Sequence, residues 1–376
     1  MTRLLIILSL LLAQASRGQD NILHFVLTSD IHYGIYRPHF RGSDSVPATV
    51  VNRAMIAAID RLPRQHIPND SGVGAGRAAG AIDALLITGD IANREEKGIQ
   101  CAAASWQQFE GDYNHDLTTR DHRNQPTPRC LVAGNHDAAN AIGNCRLLEP
   151  ATDASSMAGL YNNMTHPAHP RTSADYNYAT DKVHYSRDIG GIHLLFVNLW
   201  PDSAEQQWME QDLEKLAPAT PVLLFTHSMP DVEARFFTNP NGDHGINDQD
   251  KFENLLPEIF RDGLTIDQPA LAEQRGLAAF LQRHRNIRAY FHGHNNYNEY
   301  YRWQGPDKDL ALPCFRVDSP MKGKWSAKDE TRLSFQLISI DTRTKEMTVR
   351  ECRWNTRPDD PSVLEWGDHI TISLTP

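Results

Sequence analysis

Leu131-Val132-Ala133-Gly134-Asn135-His136-Asp137 is the stretch that most constrains this chain. A short apolar run fit for a buried strand breaks at a glycine into three polar side chains. Alone it also reads as a strand followed by an Asx turn. The same arrangement, however, recurs along the sequence. Residues 23–29 form a strand-like run that delivers Asp30-Ile31-His32, and residues 82–88 end in Gly89-Asp90. Residues 222–226 hand over His227, and residues 287–291 end in His292-Gly293-His294-Asn295-Asn296. Segments with apolar residues at helical spacing fall between them, at 49–62, 97–109, 204–216 and 277–284. This alternation predicts an α/β chain, and in open α/β sheets ligands gather at the C-terminal ends of strands. Asp30, His32, Asp90, Asn135, His136, His227, His294 and Asn296 can therefore converge. The set holds oxygen and imidazole donors and no thiolate, which suits a pair of divalent cations.

The flanks and the composition narrow the setting. Residues 1–18 carry Arg3, an apolar run over 4–12 and then Ala13-Gln14-Ala15, the pattern of a secretory signal peptide. The run is too short for a membrane anchor, which needs about 20 apolar residues. Residues 19–376 are expected to form one exported unit, secreted or periplasmic, and no later segment reads as transmembrane. A formal net charge of -10 and the lack of Lys/Arg runs argue against nucleic acid or an anionic membrane as the main partner. A small phosphorylated ligand stays compatible, because local cations override net charge. The sequence does not specify an oligomer. Cys101, Cys130, Cys145, Cys314 and Cys352 are widely spaced with no C-x-x-C pair, so zinc-ribbon and thioredoxin-type readings fail. Export favours one or two disulfides, and Cys314–Cys352, both in strand-like stretches, is the expected bridge. The glycine run at 71–77 neither follows a strand nor ends in lysine, so it reads as a flexible surface insertion rather than a phosphate loop. Asn163-Met164-Thr165 matches a glycosylation sequon. Residues 228–276, with Phe236 and Phe237, break the alternation and suggest a lid or substrate wall. Strand-like runs at 314–317, 333–340, 347–353 and 370–374 are expected to make the second sheet.

The series D-x-H, G-D, G-N-H-D, H and G-H, at Asp30/His32, Gly89-Asp90, Gly134 to Asp137, His227 and Gly293-His294, resembles the calcineurin-like metallophosphoesterase superfamily. The likeness runs from about residue 23 to 296. The stretch from His184 to His193 is similar to the strand pair that precedes the third-histidine region of purple acid phosphatases. The resemblance implies a four-layer α/β/β/α sandwich of two mixed sheets flanked by helices, with a dinuclear metal site at strand C-terminal ends. Asp90 would bridge both ions, Asp30 and His32 would bind the first, and Asn135, His227 and His294 the second. A water between the ions would be the nucleophile. His136 would face the phosphoryl group and Asp137 would hold its tautomer. His292, one pleat before the glycine, is expected on the other face of its strand.

Two departures from the family pattern matter. Its last histidine, on the first metal, is replaced here by Asn296, a neutral and weaker donor, which shifts that site toward Mn²⁺, Mg²⁺ or Ca²⁺. Asn93 stands where purple acid phosphatases carry a tyrosine, so a colourless protein is expected. The implied cofactors are two divalent ions, drawn from Mn, Zn, Fe, Mg and Ca. The implied activity is hydrolysis of phosphoric esters, monoesters preferred, with a phosphodiesterase acting on nucleotides, cyclic nucleotides or phospholipids as the alternative. A non-catalytic binding protein with a weakened metal site is the alternative of another class. Arg94 and Arg235 are candidate cations for a monoester, and Arg94 and Tyr33 are the candidate substrate residues. Tyr36, Phe236 and Tyr297 are further aromatics that could stack on a nucleoside or pack on a lipid.

Overall fold

The computed structural model describes residues 21–93, 99–138, 153–177, 180–231 and 271–375. The first strand β1 (Ile22–Thr28) is followed by a hairpin, β2 (Tyr36–Phe40) and β3 (Ser43–Pro47), and by helix α1 (Ala48–Ile59). Then come β4 (Ala84–Ile87), α2 (Ala102–His115), β5 (Arg129–Leu131) and α3 (Ser155–Thr165). The middle of the chain supplies β6 (Tyr185–Ile189), β7 (Ile192–Phe196), α4 (Ser203–Leu213), β8 (Val222–Phe225), α5 (Leu271–Arg283) and β9 (Ile287–His292). The remainder is strand: β10 (Glu299–Trp303), β11 (Leu312–Arg316), β12 (Ser334–Asp341), β13 (Glu346–Arg353) and β14 (Glu365–Ser373).

These strands form two mixed sheets, ordered β14-β13-β12-β1-β4-β5 and β10-β11-β9-β8-β7-β6. In the first, β1, β4 and β5 run parallel, and β12, β13 and β14 continue from β1 as an antiparallel meander in which each strand reverses the direction of its neighbour. In the second, β7, β8, β9 and β11 are parallel, with β6 and β10 antiparallel at the edges. The interior strands β4 and β8, each flanked by parallel neighbours, are buried along their whole length, as continuous apolar runs in covered parallel sheets should be.

The sheets share one core, and its inner face carries an in-register aromatic stack. Tyr185, Phe196, Phe225, Phe291 and Phe315 occupy paired positions on successive strands, with neighbouring centroids between 4.7 and 5.1 Å apart. His227 lies two residues past Phe225, so strand alternation carries it toward the same inter-sheet face. On the outer side of the second sheet, Met209 and Leu213 of α4 and Leu277, Phe280 and Leu281 of α5 pack against Leu195, Leu224 and Tyr290. Asp202 caps α4 by accepting from the backbone N–H groups of Ala204 and Glu205 at 3.0 and 3.1 Å. Helix α1 turns Val51, Met55, Ile56 and Ile59 inward, and α2 and α3 add Trp106, Phe109, Met157 and Leu160 to the larger core. The four-layer sandwich expected from the sequence is the observed architecture.

Several expectations need correction. The C-terminal strands do not make the second sheet: β12 to β14 extend the first sheet beside β1, and only β11 joins the second. A two-residue side-chain period shows that a run is a strand but not which partner it takes, so sheet membership was not readable. Cys314 and Cys352 are both free and buried, one in β11 and one in β13, on different sheets, so the expected bridge is not formed. Cys145 lies outside the described residues, as do residues 1–18, Arg94, Arg235, Phe236, Phe237 and most of the 228–276 stretch. The glycine run at 71–77 is tied down rather than loose: Val73 N–H donates to Thr348 Oγ1 at 2.8 Å, and Arg350 Nη1 donates to the Val73 carbonyl at 2.9 Å. The Asn163 amide donates to Glu110 Oε1 at 2.9 Å, so the sequon side chain is engaged in packing α3 on α2.

Candidate metal centre

Every cluster singled out at a strand end arrives in one place. The clusters follow the C-terminal ends of β1, β4, β5, β8 and β9, and the turns there hold the backbone in unusual shapes. Asp30, His32, Asp90, His294 and Asn296 all have positive φ, between 40° and 70°. Side-chain-bearing residues rarely adopt this region, and its concentration here marks a site where geometry outranks local strain. Gly89 and Gly134 let the turns meet: a Cβ on Gly89 would come within 2.7 Å of the Gly134 nitrogen, and one on Gly134 would land on Asp90 Oδ1.

Asp90 is the centre. Its Oδ1 accepts the His136 backbone N–H at 2.8 Å. Its Oδ2 faces His227 Nε2 at 3.5 Å, His32 Nε2 at 3.6 Å and His136 Nε2 at 4.0 Å. On one side His32 Nε2 lies 3.8 Å from Asp30 Oδ1. On the other, Asn135 Oδ1, His227 Nε2 and His294 Nδ1 form a triangle with every edge 3.1 Å. Donors about 2.1 Å from a hard or borderline cation in an octahedral face would be about 3.0 Å apart, so this triangle is the size of such a face. His227 Nδ1 donates to the Thr88 carbonyl at 2.8 Å, which leaves the Nε2 lone pair aimed into the cluster.

The residues present fit a cation in three further ways. Two imidazole nitrogens, His227 Nε2 and His294 Nδ1, face one another at 3.1 Å, an arrangement a shared positive ion relieves. Asp30 Oδ1 and Asn296 Oδ1 are buried with no hydrogen-bond partner among the described residues. Burial, reinforced by Asp90, pushes the Asp30 carboxyl up to about 6 against the pull of His227. Burial and then His227 drag His294 down to about 3, whereas in His227 burial is outweighed by Asp90 and Asp30 and the ring sits above its ordinary value. The Asp30 carboxyl, pushed toward neutrality beside opposed imidazoles, describes a site that a divalent cation would complete. His32, Asp90 and His136 form one group with metal-ligand spacing, and Asp30, Asp90 and His227 another.

Two sequence assignments are corrected by these contacts. Asp137 does not hold the His136 ring: its carboxylate is fully buried and accepts from the backbone N–H groups of Ile91, Ala92 and Gly134 at 2.9 to 3.1 Å. It braces the Asp90 turn against the Asn135 turn, and burial with nearby Asp90 raises its carboxyl to about 7. Tyr33 is not a substrate residue, because it is wholly buried and its hydroxyl donates to Asp112 Oδ2 at 2.9 Å. His292 does turn away from the cluster, with Nδ1 on the Gly293 carbonyl and Nε2 on the Tyr301 hydroxyl at 2.8 Å. Asn296 sits on the His294 turn with its amide oxygen orphaned, and Tyr36 is exposed on the β2–β3 hairpin.

Sequence reasoning missed Lys322. Its Nζ lies 3.0 Å from Asn93 Oδ1 and 3.3 Å from His136 Nε2, at the half-buried mouth of the cluster. The signal was present, since Asp318-Ser319 follow the apolar strand β11 as the other clusters follow theirs.

The family model for calcineurin-like phosphoesterases matches residues 23–297, and the chain belongs to that family, whose members are in general metal-dependent phosphoester hydrolases. No curated protein sequence gives a significant match. Similar solved structures include the calcineurin-like phosphoesterase YfkN from Bacillus subtilis, at 11% identity over 94% of this chain and 91% of that one, with a TM-score of 0.34. Phosphopantetheinyl hydrolase PptH from Mycobacterium tuberculosis shares 12% identity over 80% of this chain and 91% of its own, with a TM-score of 0.32. Wild-type Vps29 complexed with zinc, from Entamoeba histolytica, shares 10% over 93% and 99%, with a TM-score of 0.33. At that level of likeness the family assignment rests on the family model.

Proposed function

We propose that this chain is an exported phosphoric-ester hydrolase built on a dinuclear metal centre, with phosphomonoesters preferred to diesters. The observation that carries the reading is Asp90 Oδ2, a single carboxylate oxygen facing His32 on one side and His227 on the other at nearly equal distances. Asp30 and His32, completed by Asn296, would hold one divalent ion; Asn135, His227 and His294 would hold the second; Asp90 would be shared. The oxygen and imidazole donors fit Mn²⁺, Zn²⁺, Fe, Mg²⁺ or Ca²⁺, with the neutral amide of Asn296 favouring the harder ions at its site. Bound there, such ions would polarise a phosphoryl oxygen and lower the pKa of a water.

The chain's own residues supply the rest. His136 stands at the mouth with its side chain 12% exposed, placed to steady a phosphoryl oxygen or to give a proton to the departing alkoxide through Nε2. Asp137 keeps the two ligand-bearing turns in register. Near-complete burial of Asp30, His32, Asp90 and His227 limits water to the open side. Export is supported by the pattern of residues 1–18, and residues 19–376 are read as one catalytic unit. No helix among the described residues is long and apolar enough to cross a membrane. A diester reading draws on Tyr297, beside Asn296 and 6.4 Å from the exposed Trp325 ring, which offers aromatic surface to a nucleoside or lipid group.

Purified protein supplied with Mn²⁺ is expected to hydrolyse p-nitrophenyl phosphate faster than bis-p-nitrophenyl phosphate. Failure on both across a panel of divalent metals and pH values would overturn the hydrolase reading in favour of a binding protein. His136→Ala should lower turnover by about 100-fold with metal content retained; loss of metal instead would make His136 a ligand.

A further inference from the structure

We propose that Lys322 determines ester specificity at this centre: its ammonium takes a non-bridging phosphoryl oxygen and biases the site toward dianionic monoesters over monoanionic diesters. The proposal rests on the hydrolase reading above, but it concerns a residue beyond the 23–297 segment that the family model matches. Lys322 Nζ is 3.3 Å from His136 Nε2, which in turn is 4.0 Å from Asp90 Oδ2. The ammonium therefore stands on the open side of the ligand cluster, beside the His136 ring. A fixed cation beside a site whose donors call for divalent cations is repelled by them, and that repulsion is relieved when an anion lies between. A phosphoryl group reaching from the Asp90 cluster to His136 fills that position.

The lysine is held there by the fold. Ser319 Oγ donates to the Asp30 carbonyl at 2.7 Å and accepts the N–H groups of Met321 and Lys322 at 3.1 and 2.9 Å. The turn carrying Lys322 is thus tied to the backbone of a proposed metal ligand. From the other side the buried Arg37 guanidinium donates to the carbonyls of Pro320, at 2.7 Å, and Ser326. Asn93 Oδ1 accepts from the ammonium at 3.0 Å and sets its direction. Asn93, singled out above because a tyrosine stands there in purple acid phosphatases, gains a purpose as the lysine's rest. A positioned charge-assisted donor of this kind discriminates by the charge on its ligand.

The test uses full-length Mn²⁺-loaded protein, wild type, Lys322→Met and Lys322→Arg, with metal content measured for each. Lys322→Met should lose about 30-fold in kcat/KM on p-nitrophenyl phosphate, mostly through KM, and less than about 5-fold on the bis-ester, with Lys322→Arg recovering most of the loss. Calorimetric titration with orthophosphate should show affinity about tenfold weaker in Lys322→Met. Equal losses on both esters, or unchanged orthophosphate affinity, would overturn the proposal. If wild type hydrolyses neither ester the hydrolase reading fails, and orthophosphate binding decides the lysine's role separately: binding weakened by Lys322→Met supports it, and unchanged or absent wild-type binding sinks it. Lys322→Gln replaces the methionine variant should that one misfold, as judged by circular dichroism.

Discussion

Two buried polar clusters in this protein are built from similar parts and end in opposite electrostatic states. Beneath β13, buried Arg350 grips Asp70 with Nε at 2.7 Å and Nη2 at 2.8 Å and donates through Nη1 to the Val73 carbonyl. Hydrogen bonding to Arg350 holds the Asp70 carboxyl down at about 2. At the strand ends, Asp30 and Asp90 face imidazoles rather than a guanidinium, and burial lifts Asp30 to about 6. The first cluster is complete in its own side chains. The second leaves Asp30 Oδ1 and Asn296 Oδ1 orphaned and sets imidazole nitrogens against each other. A satisfied buried ion pair is a structural tie, whereas a converging, under-satisfied donor set is a receptor for an ion brought from outside.

The sharpest way to break the contrast is to remove the shared oxygen. Asp90→Asn should reduce phosphoester turnover below about one thousandth of wild type and lower metal content, since one donor would be lost to both ions; retained activity would show that Asp90 does not bridge. Removing the tie instead should cost stability and spare chemistry. Asp70→Asn should destabilise the fold by about 3 kcal/mol, because it leaves the buried Arg350 charge unpaired, while kcat/KM stays at the wild-type level below the melting range; a loss under about 0.5 kcal/mol would demote the pair to surface decoration.

The two clusters should also tilt the metal-free protein in opposite directions with pH. Asp70 has a folded value below its ordinary 3.8, so its stabilisation is present above about 4 and lost as pH falls toward about 2. Asp30 has a folded value above 3.8, so its contribution is present below about 4 and lost as pH rises through about 6. Chemical denaturation of wild type and Asp30→Asn between pH 4 and 7, both metal-free, should show the difference between them shifting in favour of the variant as pH rises. A constant difference would contradict the raised carboxyl. Smallest of the effects, Asn296→His should tighten the first metal by about tenfold; unchanged affinity would remove Asn296 from the ligand set.

Much of this was legible because the chemistry is confined to strand ends. A glycine or aspartate after an apolar run reports both where a strand stops and where a side chain can leave the sheet, so Asp30, Asp90, Asn135, His227 and His294 were found together. What a linear pattern does not carry is direction. Asp137 follows His136 in sequence, yet the turn points its carboxylate at the backbone of Ile91 and Ala92. Tyr33 follows His32, yet its ring enters the core toward Asp112. Partner choice is also silent in the pattern: Cys314 and Cys352 sit on strands that the fold sends to different sheets. Lys322 was missed because it comes from a chain segment remote from the motifs and is brought in by Ser319 and Arg37.

The central claim is that the strand-end cluster is a two-ion receptor. Calorimetric titration of metal-free protein with Mn²⁺ at pH 7, confirmed by metal analysis of the dialysed product, tests it most directly. Two ions per chain, with the stoichiometry falling in Asp90→Asn, is the predicted result; one ion or none in the wild-type protein would contradict the account.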